Sequence, residues 1–491
     1  MINKSEIKDA VDSAEIAYLE CWDFLIKIKE GNIFDAKPVS IQTFQPRLGE
    51  ALARLSSLHR EIEKEKEKSI LRNRLRKTKQ SVVRLRFLAK QQMVLAQAIS
   101  VGKTIGDGFA WFFYREDRQY LAKHLTEQEQ LHVPSGIGGF AELEFMRSVP
   151  SIAGYFCLYH SITSILRLGD VTLVDLKELR VAAIGEIKSG IPRDGKLVVS
   201  LYISTPKFVA QDFEANIRPS AEPKTDDIVR EGLSQRAKDR LGRQMERISA
   251  SYTQLRSTPD GHLAFEMDGH IDLLEQVVIT TMRRGSSLER VGGGLLVFGL
   301  RQSHASLYKR LSSRTIPSLN KKLAGIEAQV TELLVGNRTD NSLTVATAIY
   351  DSDGRTHHKP GMTHPIWWPM SMINLQRLVF AEVSVFTIFN PAPLMATLET
   401  EGFQVEEIAE RHFRVTKEID GYRFVAEGMS HYFEMIQHYF MSEGSVVNLL
   451  KEADAEIKRQ RKGHSTPQRI DLLIEQRFGK LQKIQSALPD A

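Results

Sequence analysis

Two carboxyl groups and one ammonium stand at a spacing that can do phosphoryl chemistry. Asp170 opens the apolar run Val171-Thr172-Leu173-Val174. Fifteen residues lie between it and Glu186, where Glu186-Ile187-Lys188 closes a second apolar run, Val181-Ala182-Ala183-Ile184-Gly185. Side chains of an extended segment alternate faces, so Glu186 and Lys188 share one face and Ile187 points to the other. If the two runs pair as a hairpin, Asp170 comes beside Glu186. Converging carboxylates form an oxygen site for Mg²⁺, a hard cation that keeps several waters and accepts phosphate oxygens. An ion held there polarises a phosphodiester and acidifies an attacking water. Lys188 is placed to position that water or to meet the charge building on phosphorus. The acid-x-Lys tripeptide is itself common in this chain, as in Glu6-Ile7-Lys8, Asp35-Ala36-Lys37 and Glu456-Ile457-Lys458. Only Glu186 combines it with an apolar strand before and a Gly-Asp-strand element at suitable spacing. The plainer alternative is an edge strand on which Glu186 and Lys188 face water or pair across strands.

Gly169-Asp170 and Glu186-Ile187-Lys188, each in a strand context, resemble the PD-(D/E)XK phosphodiesterase superfamily, which has the restriction-endonuclease-like fold. The resemblance covers about 170 of the 491 residues. It implies a helix, a three-strand meander carrying the Asp and the E-x-K, a second helix and a further strand. Helices at 139–149 and 226–255 and a strand at 294–300 would supply the flanking parts. It also implies an acidic residue in the first helix, soon after a glycine: Glu142 in Gly139-Phe140-Ala141-Glu142-Leu143-Glu144, with Glu144 as second choice. By this resemblance Asp170 and Glu186 hold Mg²⁺ (or Mn²⁺), Lys188 serves the water or the transition state, and Glu142 supports the metal or its waters. The implied activity is hydrolysis of nucleic-acid phosphodiesters, with DNA ahead of RNA as the expected substrate and RNA still open, in restriction, repair or anti-phage defence. Two departures stand out: Gly169 replaces the proline that names the family, and a long polar insertion occupies about 205–225. A non-catalytic version of the fold, or a scaffold protein assembling through its long helices, remains open.

The elements that must position this site read as a mixed α+β chain. Residues 1–130 are helical: Leu48, Leu52, Leu55, Leu58 and Ile62, then Leu71, Leu75, Val82, Leu85 and Leu88, recur at three-and-four spacing, and no Gly or Pro interrupts 50–101. This predicts one long helix or a coiled-coil-like hairpin, open to a second copy or another protein. A breaker cluster, Pro134-Ser135-Gly136-Ile137-Gly138-Gly139, ends the region. A central mixed sheet flanked by helices is expected over 131–310, with strands Tyr155–Ile165, Asp170–Val174, Val181–Lys188, Lys196–Ile203 and Gly294–Leu300. A C-terminal α+β region follows over 311–491, with helices at 316–335, 428–460 and 467–486 and strands at Leu343–Tyr350 and Val379–Phe389.

Residues 72–90 contain Arg72, Arg74, Arg76, Lys77, Lys79, Arg84, Arg86 and Lys90 and no Asp or Glu. A one-sign field of this length attracts phosphate backbones, although a solvated or internally paired face has the same composition. Arg283-Arg284 is a second candidate phosphate contact. The whole chain, 66 Lys+Arg against 61 Asp+Glu for a net +5, is not basic enough to decide the matter. Two cysteines, Cys21 and Cys157, exclude a disulfide framework and fit a reducing compartment. The N-terminus lacks a basic-then-apolar signal pattern and no apolar run reaches spanning length, so a cytoplasmic protein without a membrane partner is expected. Val101-Gly102-Lys103-Thr104 has the last residues of a P-loop but neither its earlier glycine nor a preceding strand. Val291-Gly292-Gly293-Gly294 lacks dinucleotide-fingerprint spacing, and His357, His358 and His364 near Trp367-Trp368 lack zinc spacing.

Overall fold

The computed structural model describes residues 3–30, 38–75, 78–126, 137–152, 154–190, 198–204, 243, 262–302, 304–313, 344–346, 361–409, 412–419, 422–461 and 471–475. The chain is α+β with a helical N-terminal region. It divides into two compact units, 1–258 with 306–308 and 352–360, and 259–305 with 309–351 and 361–491.

In the first unit α1 (Lys4–Lys29), α2 (Pro38–Leu75) and α3 (Lys79–Tyr114) pack on one another. Asn3 caps α1 by accepting the Glu6 N–H, and Thr78 and Ser81 form a reciprocal capping box at the start of α3. The first half of the leucine stripe buries as expected, with Leu48, Leu52, Leu55, Leu58 and Ile62 in the core; of the second half Leu88 is in the core, Val82 and Leu85 are half-buried and Leu71 is exposed. The alternative of a helical hairpin is the one adopted, with α2 against α3. Two further helices follow, α4 (Arg118–Thr126) and α5 (Ile137–Ser148).

The sheet is an antiparallel meander in spatial order β1 (Ser151–Ile152), β2 (Tyr155–Tyr159), β3 (Val171–Asp175), β4 (Arg180–Gly190) and β5 (Val198–Ser204). Rings from α2, α3 and β2 interlock beneath it. Phe44 stacks on Phe109 with centroids 4.2 Å apart, and Phe109 and Phe113 both meet Phe156 of β2. The boundary expected at residue 130 therefore falls inside a compact unit. The helices and the sheet share one aromatic core, which composition alone does not reveal.

Two strand expectations need correction. The strand Tyr155–Ile165 stops at Tyr159; beyond it lie a 3-10 turn, His160–Ile162, and a loop to Gly169. Gly294–Leu300 does form a strand, β8 (Leu295–Arg301), but it belongs to the second unit. There it lies in an antiparallel sheet between β7 (Ser286–Arg290) and β10 (Val383–Phe389), with β9 (Thr344–Ala346) at the far edge. Among the described residues the first unit's sheet is wholly antiparallel rather than mixed, and the boundary at 310 is not where the units part. The second unit also holds a three-stranded meander over 404–426 and a parallel pair, β6 (His262–Glu266) with Asp471–Glu475. That last strand replaces part of the helix expected at 467–486. The expected helix at 316–335 and most of that at 226–255 lie outside the described residues.

Candidate active site

Gly169 has φ of 75°, in the left-handed region, and this reversal delivers Asp170 to the mouth of β3. The Asp170 N–H donates to the Gly185 carbonyl at 2.8 Å, and the Asp170 carbonyl accepts from the His160 N–H at 2.9 Å. The Val171–Gly185 pairing, continued by one residue, sets Asp170 level with Glu186. Directly opposed residues of an antiparallel pair point to the same face. The hairpin geometry expected from the sequence is thus present. The Asp170 carboxylate accepts the Ile187 N–H at 2.7 Å, so the E-x-K segment itself orients the acid.

Glu186 is 4% exposed. Its Oε1 takes the Lys188 ammonium in a close ion pair, as two same-face residues of one strand allow. The first helix contributes a third acid. Glu142 of α5 is 5% exposed, whereas Glu144 is exposed and pairs with Arg147, leaving Glu142 as the acid that joins the site.

The three carboxyls oppose one another. Burial, then Glu186 and Glu142, raise the Asp170 pKa to about 8 against the opposing pull of the Ile187 N–H and Lys188. Burial also raises Glu142 to about 7, with Glu186 adding to the rise and Ser161 and Lys103 restraining it. Among the described residues, no hydrogen-bond partner of proper geometry reaches the buried Oε1 of Glu142 or Oγ of Ser161, so Ser161 acts on Glu142 by proximity.

Lys103 of α3 completes the charge set. Its buried ammonium donates to the carbonyls of Ser161 and Thr163 at 2.6 and 2.7 Å. Burial lowers its pKa to about 8, partly offset by Asp107 and Glu142. The P-loop-like tetrapeptide is thus plain helix, yet its lysine belongs to the site. The signal was available in the sequence: Lys103 and Asp107 are one helical turn apart in an otherwise apolar segment, and buried charges are retained only when partnered.

Among the described residues no group of three or more His, Cys, Asp and Glu side chains is assembled as a ready cage for an ion. What is present fits Mg²⁺ or Mn²⁺ rather than a softer metal. The donors are all oxygens, one buried carboxylate oxygen is unpartnered, and crowded carboxyls with raised pKa are relieved by a divalent charge.

Of the cationic candidates, Arg72, Lys79 and Arg86 are exposed. Arg84 pairs with Glu65 across the α2–α3 hairpin at 2.5 Å and lies over the Phe87 ring, the internally paired alternative that the composition also allowed. Arg76 and Lys77 and the side chain of Arg74 lie outside the described residues, as do His357 and His358. Arg283 and Arg284 are exposed in the last turn of the helix Ile271–Arg284. The Gly292–Gly294 turn does cradle an anion, but a protein one: Glu443 accepts the N–H groups of Gly293 and Gly294 at 3.0 and 2.7 Å. Trp367 and Trp368 are fully buried, which excludes base stacking on them in this conformation.

Comparison with models of known families, with curated proteins and with solved structures gives no match. No helix among the described residues is long and apolar enough to cross a membrane.

Proposed function

We propose that this chain is a divalent-metal-dependent nuclease of the PD-(D/E)XK kind. The observation carrying the reading is Asp170 set level with Glu186 at the sheet end, its carboxylate held by the N–H of Ile187, with Lys188 on the same strand face. Asp170 and Glu186 would hold Mg²⁺ or Mn²⁺, which supplies charge to the phosphoryl oxygens and acidity to water. Lys188, released from Glu186 when the carboxylate has another partner, carries an ammonium to the phosphate and stabilises its added negative charge. Glu142, with a buried oxygen that no group among the described residues takes, accepts hydrogen bonds from water at the site. Lys103 balances Glu142 from behind. The test is incubation of plasmid, linear and single-stranded DNA and of RNA with Mg²⁺ or Mn²⁺. Divalent-dependent cleavage by the wild type, absent from an Asp170→Ala/Glu186→Ala double variant, supports the reading; equal cleavage by both removes it.

A second reading, a non-catalytic nucleic-acid-binding or scaffold protein, draws on the α2–α3 hairpin. Its far end exposes Ile70, Leu71 and Val83 beside Arg72 and Arg86. Salt-dependent binding of DNA without cleavage in any divalent ion, or a stable oligomer indifferent to metal, would favour it.

A further inference from the structure

The segment between β2 and β3, residues 160–169, connects two strands without regular structure beyond one 3-10 turn, yet it is almost entirely buried. A buried loop must find partners for its backbone groups, and here side chains from α3 and α4 provide them. Asp107 accepts the N–H groups of Ser164 and Ile165, and Lys103 takes the carbonyls of Ser161 and Thr163. At Gly106 a Cβ would stand 2.0 Å from the Ile162 carbonyl oxygen, so α3 and the loop are in backbone contact.

The last residues before Asp170 are held by a longer device. The N–H groups of Arg167 and Leu168 both donate to Nδ1 of His124, at 3.1 and 3.0 Å. That nitrogen is therefore bare, and Nε2 carries the hydrogen. Nε2 lies 2.9 Å from the Tyr114 hydroxyl, which must accept from it. The Tyr114 proton is then free for Thr172 Oγ1 at 2.6 Å, and the Thr172 proton for His160 Nε2 at 2.7 Å. The other ring nitrogen of His160, Nδ1, faces the Gly169 carbonyl at 2.9 Å and can only donate to it. Every hydrogen is used once, in one direction, along four fully buried side chains. The chain begins on the amides of 167 and 168 and ends on the carbonyl of 169. It therefore clamps both sides of the left-handed Gly169 that aims Asp170.

We propose that Tyr114, His124, Thr172 and His160 are positioning residues for Asp170, acting through this hydrogen-bond chain. The inference rests on the nuclease reading for its effect on turnover but not for its geometry. None of the four touches the reacting groups. They fix the turn, and the Ile187 N–H bond to the Asp170 carboxylate reports whether the turn is fixed. Two nearly isosteric variants break the chain in different places, Thr172→Val and Tyr114→Phe, while Thr172→Ser keeps the hydroxyl and serves as the rescue.

The experiment measures amide hydrogen exchange at Ile187 together with kcat and KM for DNA cleavage in Mn²⁺, on full-length proteins whose circular dichroism matches the wild type. Faster Ile187 exchange in Thr172→Val and Tyr114→Phe, with kcat down roughly tenfold or more at unchanged KM and both restored in Thr172→Ser, is the expected result. Unchanged Ile187 exchange in Thr172→Val and Tyr114→Phe overturns the proposal, as does equal impairment of Thr172→Ser and Thr172→Val, which would mean packing rather than the hydroxyl. Should Thr172→Val fail to fold, Tyr114→Phe decides alone. If the wild type cleaves nothing and binds no Mn²⁺, the nuclease reading falls, while Ile187 exchange still decides whether the chain holds the turn.

Discussion

At Asp170, burial and the neighbouring carboxyls of Glu186 and Glu142 act in the same direction, so an ionised Asp170 is costly to the folded state until a cation joins it. Its folded pKa of about 8 lies above the ordinary carboxylate value near 4, so the folded state holds the proton more tightly. The stability from this group is complete at acid pH and is lost as pH rises from about 4 to about 8. Asp170→Asn, which cannot ionise, is expected to raise Tm at pH 8 without metal while removing cleavage. Mn²⁺ should raise the wild-type Tm, by about 2.7 kcal/mol of stability at a hundredfold excess over Kd, and leave Asp170→Asn unmoved. A Tm that ignores Mn²⁺ in both proteins would count against the metal site. His160 behaves in the opposite sense. Burial lowers its pKa to about 3 against the pull of its backbone partners, so its contribution is complete above about pH 6.5 and is lost as pH falls toward 3. The slope is about 1.4 kcal/mol per pH unit inside that window. The stability gap between wild type and His160→Gln should accordingly shrink on acidification, as read by denaturant melts at pH 7, 5 and 4.

α3 has two jobs along its length. Its first turns form the outer part of a hairpin, where Arg84 is bound to Glu65 and exposed Lys79 and Arg86 are available to a polyanion. In DNA-binding titrations Lys79→Glu and Arg86→Glu should each lower affinity and reduce the salt slope by about one, while Arg84→Ala changes it little. Such a result would divide the basic stretch into phosphate contacts and a structural pair. The last turns of α3 form the floor of the loop that carries Asp170. Gly106→Val forces a side chain against the Ile162 carbonyl, a backbone atom that cannot yield cheaply. Overpacking of this kind costs about 1–3 kcal/mol or more, and chemical denaturation should show it. A wild-type melt for Gly106→Val would mean that α3 and the loop are not in the contact described.

On the scale of the molecule, the helices and the sheet that carries Asp170 and Glu186 are one object. Phe24, Phe44, Phe109 and Phe113 come from the helical region and Phe156 from β2, all in a continuous cluster. Lys103, Asp107 and His124 reach from the helices into the loop beside Asp170, and Tyr114 reaches Thr172 of β3. A fragment beginning at residue 131 would expose that aromatic surface and leave the loop's backbone groups unpaired, so it should not fold on its own. A cooperative thermal transition for that fragment, matching the full chain, would contradict the shared core.

Much was decided locally and could be read without coordinates. Leucines at helical spacing and the apolar runs around Asp170 and Glu186 specify elements through periodicity, and the alternation of a strand places Glu186 and Lys188 on one face. Glu142 could be named from the resemblance, but only its burial separates it from Glu144, two residues along the same helix. Burial, the partition of the basic stretch, the membership of the strand at 295–301 and the joining of helices to sheet depend on which surfaces meet across long stretches of chain. The hydrogen-bond chain behind Asp170 is the clearest instance. Tyr114, His124, His160 and Thr172 are ordinary residues in sequence, and they acquire a role only because packing removes water and leaves each of their hydrogens one acceptor.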